Sequence, residues 1–107
     1  MKSLEMDNSI NIDGTCLQGY APSDISYQDL VNIFGEPNSE NDGYKTDVEW
    51  TGTIEGRVFT IYNWKNGPNY GSNINIEDIK EWHIGGYSRI VVSYLLEIFE
   101  DYKRKRS

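Results

Sequence analysis

The sequence predicts an α+β fold: a small antiparallel sheet of three or four strands with two helices, in the order β-α-β-β-β-α. Three observations lead there. Residues 57–67, Arg-Val-Phe-Thr-Ile-Tyr-Asn-Trp-Lys-Asn-Gly, are β-branched and aromatic and end in an Asn-Gly turn signal. Two Trp-bearing segments, 45–50 and 79–86, flank that stretch and read as its sheet neighbours. Strand and helix patterns do not alternate regularly along the chain, which argues against a parallel α/β sheet.

The elements follow in order. Residues 1–11 are polar and read as a loose end. Asp13-Gly14 marks a turn, and residues 15–20 suit a short edge strand. Asp24 or Ser26 can cap a helix by accepting from the free N–H groups of its first turn. Asp29 sits early in that helix, where the dipole favours an acid. Tyr27, Leu30, Val31 and Phe34 recur at helical spacing, and Gly35 and Pro37 stop the helix, which predicts a helix over 26–34.

Residues 38–43 are a turn-rich loop, and from Lys45 the period becomes two. Thr46, Val48 and Trp50 then face one way, and Lys45, Asp47 and Glu49 the other. Residues 51–56 read as the connection to a strand over 57–64. Phe59 and Ile61 of that strand join Val48 and Trp50 in the core. Thr60, Tyr62 and Trp64 join Asp47 and Glu49 on the opposite face. Residues 66–73 hold too many turn formers for regular structure and read as a long loop reaching to about 77. A third strand over 79–84 turns Trp82 and Ile84 inward and Glu81 and His83 outward. Gly85-Gly86 breaks it, and Ser88 can cap a last helix over 88–103. That helix is apolar over more than one stripe, from Ile90 to Tyr102.

At 107 residues the chain makes one domain, 1–107, with loose ends at about 1–11 and 104–107. It carries 10 Lys plus Arg against 17 Asp plus Glu, a net charge of −7. Four of the bases are the consecutive residues 103–106, which read as a solvated tail, so the acids dominate everything before them. Such a body repels phosphate backbones and anionic lipid, which speaks against direct nucleic-acid or membrane binding. No apolar run approaches the roughly 20 residues of a membrane span. The first residues have no signal-peptide core, so a cytoplasmic protein is expected. Cys16 is the single cysteine; with no local base or Cys-x-x-Cys partner it reads as a buried structural thiol.

Asp47, Glu49, Tyr62, Glu81 and His83 fall on one face of the expected sheet. They could serve as an acid/base or metal constellation; the plain alternative is a solvated face with a cross-strand His–carboxylate pair. A catalytic zinc site usually wants two or three nitrogen or sulfur ligands, and His83 is the only histidine. Gly85, Gly86, Ser88 and Arg89 precede a helix and could cradle an anion, although an ordinary strand-to-helix turn explains them as well. Trp64, Tyr70 and Tyr62 lie on or beside the long loop and suit exposed anchors for a partner, because Tyr and Trp dominate interface hot spots.

Two resemblances add to this. Residues 25–37, Ile-Ser-Tyr-Gln-Asp-Leu-Val-Asn-Ile-Phe-Gly-Glu-Pro, are followed by a Trp-ending strand, Val58 to Tyr62 and Asn66-Gly67. That run resembles the helix–loop–strand–strand pattern of β-lactamase-inhibitor-protein-like domains and of outer-membrane-assembly small lipoproteins. The resemblance covers about half the chain and implies a helix packed on an antiparallel sheet that binds another protein. The lipobox of the lipoproteins is missing. Residues 45–50, 59–67 and 81–86 resemble segments of small bacteriophage accessory proteins, which implies a protein that acts on a host component.

The expected function is therefore a non-enzymatic, phage-encoded inhibitor without cofactor. It binds a host protein, such as a defence or nucleic-acid-handling component, through Asp47, Glu49, Tyr62, Trp64, Tyr70, Glu81 and His83. The alternatives are a protein that sequesters a nucleotide at Gly85, Gly86, Ser88 and Arg89, and a small metal-dependent hydrolase built on His83. The broad apolar surface of the last helix further predicts a homodimer through that helix. The competing reading covers it with Ile10, Ile12 and Leu17 of the same chain.

Overall fold

The computed structural model describes residues 3–39, 47–64 and 75–106. Five strands and two helices follow one another as β1 (Leu4–Met6), β2 (Cys16–Tyr20), α1 (Tyr27–Phe34), β3 (Glu49–Ile54), β4 (Arg57–Tyr62), β5 (His83–Gly86) and α2 (Ile90–Arg106), with a 3-10 turn over Ile76–Asp78 before β5. The strands form one sheet in the order β1-β3-β4-β5-β2, and every pairing is antiparallel. The α+β class and the antiparallel sheet are as the sequence predicts. The count is five strands rather than three or four, and the order is β-β-α-β-β-β-α.

The differences have local causes. β1 comes from the segment expected to be loose: Leu4 and Met6 turn one way and Glu5 the other, a pattern too short to register as a strand. β3 lies four residues later than the expected 45–50, because residues 51–54 continue the strand instead of connecting it. The β3–β4 turn is only Glu55-Gly56, both at positive φ (52° and 76°), the two-residue turn that suits the strand twist. β5 occupies 83–86 rather than 79–84, and Gly85 and Gly86 are paired strand residues, not a break. A Cβ on Gly85 would stand 2.5 Å from Thr60 Oγ1, and one on Gly86 2.9 Å from the Val58 carbonyl. The glycines are what lets β4 and β5 close. Lys45, Thr46 and the 66–73 loop lie outside the described residues.

Directly opposed residues in an antiparallel pair share a face. Trp50, Ile61 and Ile84 form one such row, and Gly52, Phe59 and Gly86 the next. Both helices cover this face. Phe34 of α1 packs on Phe59 and on Phe99 of α2, with ring centroids 5.8 and 6.0 Å apart. Val91, Leu95 and Phe99, spaced by four, are the buried stripe of α2. Val92, Tyr94, Leu96 and Ile98 are half-buried against the same core. Trp50 ties the layers together: its indole N–H donates to the Gly35 carbonyl at the end of α1 (2.8 Å).

Helix α1 begins where expected. Ser26 Oγ accepts from the Asp29 amide (3.1 Å), and Asp29 Oδ2 accepts from the Ser26 amide (2.9 Å), a reciprocal capping box. The basic C-terminal run is not a free tail. Lys103 pairs with Asp24 and Arg106 with Asp29, so the last turn of α2 is fastened to the start of α1, while Arg104 pairs with Asp101 within α2. Cys16 is exposed rather than buried, because it opens an edge strand. No helix among the described residues is long and apolar enough to cross a membrane.

Candidate functional site on the open sheet face

Among the described residues, no helix lies on the second face of the sheet. The peptide linking β1 to β2, residues 7–15, crosses it from edge to edge. The Asp7 amide donates to the Thr51 carbonyl (3.0 Å), and Ile10 and Ile12 line a cleft of about 330 Å³ together with Glu49 and Thr51. At the far side the Tyr87 hydroxyl donates to the carbonyls of Asp13 (2.6 Å) and Asn11 (3.1 Å). Ser39 Oγ donates to Thr51 Oγ1 (2.6 Å), and both Thr51 and Thr60 are buried on this face. The strap places Ile10 and Ile12 on the side of the sheet away from α2, so they do not cover that helix.

Beyond the strap the same face presents a row in register across four strands: Glu49, Tyr62, His83 and Tyr20. Aromatic rings meet edge to face along it. His83 lies 5.0 Å from Tyr20 at 87° and 5.3 Å from Tyr62 at 65°. Trp64 extends the line, 6.4 Å from Tyr62 at 83°. His83 Nε2 is 3.1 Å from Glu81 Oε1. His83 itself is buried at the centre, while Tyr20 is 49% exposed and Trp64 40%. Burial pushes the Tyr62 hydroxyl above its ordinary pKa, and the charge of Glu49 adds to the effect. Gly85 makes room for this packing: a Cβ there would stand 3.3 Å from Tyr62 Cε1.

The structure thus gathers Glu49, Tyr62, Trp64, Glu81 and His83 of the expected set. Asp47 is turned aside. Asn63, fully buried, donates to Asp47 Oδ2 (2.7 Å) and accepts from the amides of Asp47 and Val48 (2.8 and 3.2 Å). Asp47 and Asn63 fasten the entry to β3 against the exit of β4. Tyr70 lies outside the described residues. The expected anion cradle is divided: Gly85 and Gly86 pair with β4 on one side and β2 on the other, and the Gly86 carbonyl accepts from Gln18. Ser88 Oγ caps the Ile90 amide (3.3 Å), and Arg89 is exposed beside it.

Sequence reasoning missed Tyr20, the most exposed ring of the row. Its pairing with His83 joins strands more than 60 residues apart. A bulge between Leu17 and Gly19 breaks the alternation that could have assigned its face. Among the described residues, no group of three or more His, Cys, Asp or Glu side chains is placed to hold a metal ion. The arrangement offers ring faces and edges for contact with carboxylates at its margin. No family model matches the chain, and no curated protein or solved structure is significantly similar to it.

Proposed function

We propose that this chain is a non-enzymatic binding protein that docks a basic segment of a partner protein on its open sheet face. The observation that carries this reading is the row Glu49, Tyr62, His83 and Tyr20 with Trp64 at its side. Exposed Tyr and Trp held by neighbouring rings lose little freedom on binding and bury large areas. Arg or Lys side chains stack on such rings and pair with carboxylates at their edge, here Glu49 and Glu81. No strand position on this face holds Lys or Arg, and the chain as a whole carries −7. The resemblance to bacteriophage accessory proteins supports a host protein as the partner and, as the action, inhibition by occupying a surface that the host component uses.

The test is affinity capture from a bacterial host lysate with the wild-type chain, Trp64→Ala and Tyr20→Ala as parallel baits. One protein retained by the wild type, lost from both variants and released by salt is the expected result. Equal retention on all three baits would place the binding surface elsewhere.

A further inference from the structure

Among the described residues five large apolar side chains are well exposed: Leu17, Tyr20, Trp64, Tyr87 and Ile90. Four of them gather at one edge of the sheet. Leu17 and Tyr20 belong to β2, and Tyr87 follows β5, the strand to which β2 is paired. Ile90 opens α2, whose Val92 packs on Gly19 of β2, 3.0 Å from where a Cβ would stand. β2 is an edge strand, bonded on one side only.

Edge strands are normally guarded by charge, by proline or by covering chain. The opposite edge follows that rule. β1 has three residues with Glu5 at its centre, and beyond it Asn38 and Ser39 continue the edge by donating to the Glu49 carbonyl. β2, Cys-Leu-Gln-Gly-Tyr, holds neither charge nor proline in a chain that is 25% charged. Among the described residues its one guard is the bulge at Leu17 to Gly19, which bends the strand.

We infer that β2 pairs with β2 of a second copy of this chain, antiparallel about a twofold axis, to join the two sheets into one. Three arguments select a second copy. An antiparallel pair of identical strands is self-complementary, which is what a twofold contact requires. Two chains at −7 repel each other, which favours contact over an uncharged surface, and β2 supplies one. The area is also of the right size. With ~200 Å² for a fully exposed side chain of this kind, Leu17, Tyr20, Tyr87 and Ile90 present roughly 400 Å² per copy. That is about half of the ~800 Å² each partner gives to a standard interface, and the β2 backbone with the outer side of α2 adds to it. Joined in this way, the two open faces lie side by side, each with its Tyr20 nearest the axis.

Sedimentation over a hundredfold range of micromolar concentration, at low and high salt, tests the inference. The wild type is expected to shift from monomer to dimer mass, more readily at high salt because screening weakens the mutual repulsion. Leu17→Lys, which places a guard charge on the edge, and Ile90→Lys are each expected to weaken dimerisation at least tenfold while circular dichroism stays unchanged. Amide exchange in β2 should slow as concentration rises. Trp64→Ala removes the proposed partner contact and should leave the dimer intact, which separates this inference from the docking reading. A monomer at every concentration, or a dimer that both lysine substitutions leave unchanged, would overturn it.

Discussion

Arg106 Nη1 lies 2.7 Å from Asp29 Oδ1, so the last residue of α2 grips a carboxylate in the first turn of α1, 77 residues earlier in the chain. The Tyr102 hydroxyl donates to the same oxygen at 2.8 Å. Asp29 is 5% exposed, whereas the Arg106 side chain is about half exposed. The carboxylate is the costly member of the group to lose. Asp29→Ala removes a capping box and a buried acceptor together and should cost about 3 kcal/mol. Arg106→Ala leaves the cap and Tyr102 in place, and solvent screens the lost pair, so about 1 kcal/mol or less is expected. Urea unfolding of the two variants checks the ranking.

The same carboxylate sets a pH dependence. Burial raises the pKa of Asp29, but the Ser26 amide, the Tyr102 hydroxyl, the Ser26 hydroxyl and the Arg106 charge together outweigh it, and the net shift is downward. A group whose folded pKa lies below its unfolded value adds stability above the unfolded value and loses it as pH falls through the folded one. The Asp29 contribution should therefore be fully present at neutral pH and disappear below about pH 4. Asp29→Asn should flatten the acid limb of stability against pH. An unchanged acid limb would show that Asp29 titrates alike in both states.

Asn63 is a second point of leverage. It is fully buried, and its side chain is hydrogen-bonded to Asp47 and to the Val48 amide. Asn63→Ala strands those amides and should cost about 2 kcal/mol. Trp64 follows directly, so the same change should weaken partner capture even though Asn63 itself lies beneath the surface. A variant as stable as wild type would contradict the part given to this side chain.

Gly52 tests the pairing of the short edge strand. A Cβ there would overlap the Glu5 carbonyl oxygen, which is backbone and cannot rotate away. Gly52→Ala should push β1 off β3 at a cost of about 1–3 kcal/mol. Amide exchange should report lost protection at Leu4–Met6 with the β4–β5 pairing intact. Retained protection at β1 would show that the edge can shift to accept a methyl group.

How much of this was legible in the sequence depends on how local each signal is. The cap at Ser26, the apolar spacing of Leu30 and Phe34 and the stop at Gly35 lie within ten residues, and α1 is where they place it. Trp50, Phe59, Ile61, Trp82 and Ile84 were readable as core from strand alternation alone. Of the candidate site, Glu49, Tyr62, Glu81 and His83 were assigned to one face by the same parity, and register sets Glu49, Tyr62 and His83 in one row. What escaped is long-range. β1 finds its partner some 48 residues away, and Tyr20 reaches the row only through β2–β5 pairing. Gly85 and Gly86 look like a break in isolation; their purpose becomes visible only once Thr60 and the Val58 carbonyl stand against them.

On the proposed function the open face, and no other surface, takes the partner. Amide spectra of the isotope-labelled chain, recorded with and without the protein captured from host lysate, test it most directly. Shifts are expected to concentrate at Glu49, Tyr62, His83, Tyr20 and Trp64 and to fade as salt is raised, because the proposed basic partner is held partly by charge. Shifts centred instead on the exposed side of α2 or on the Ser23–Lys80 cleft, with this row unmoved, would contradict it, as would a lysate from which the wild-type chain retains no protein even at low salt.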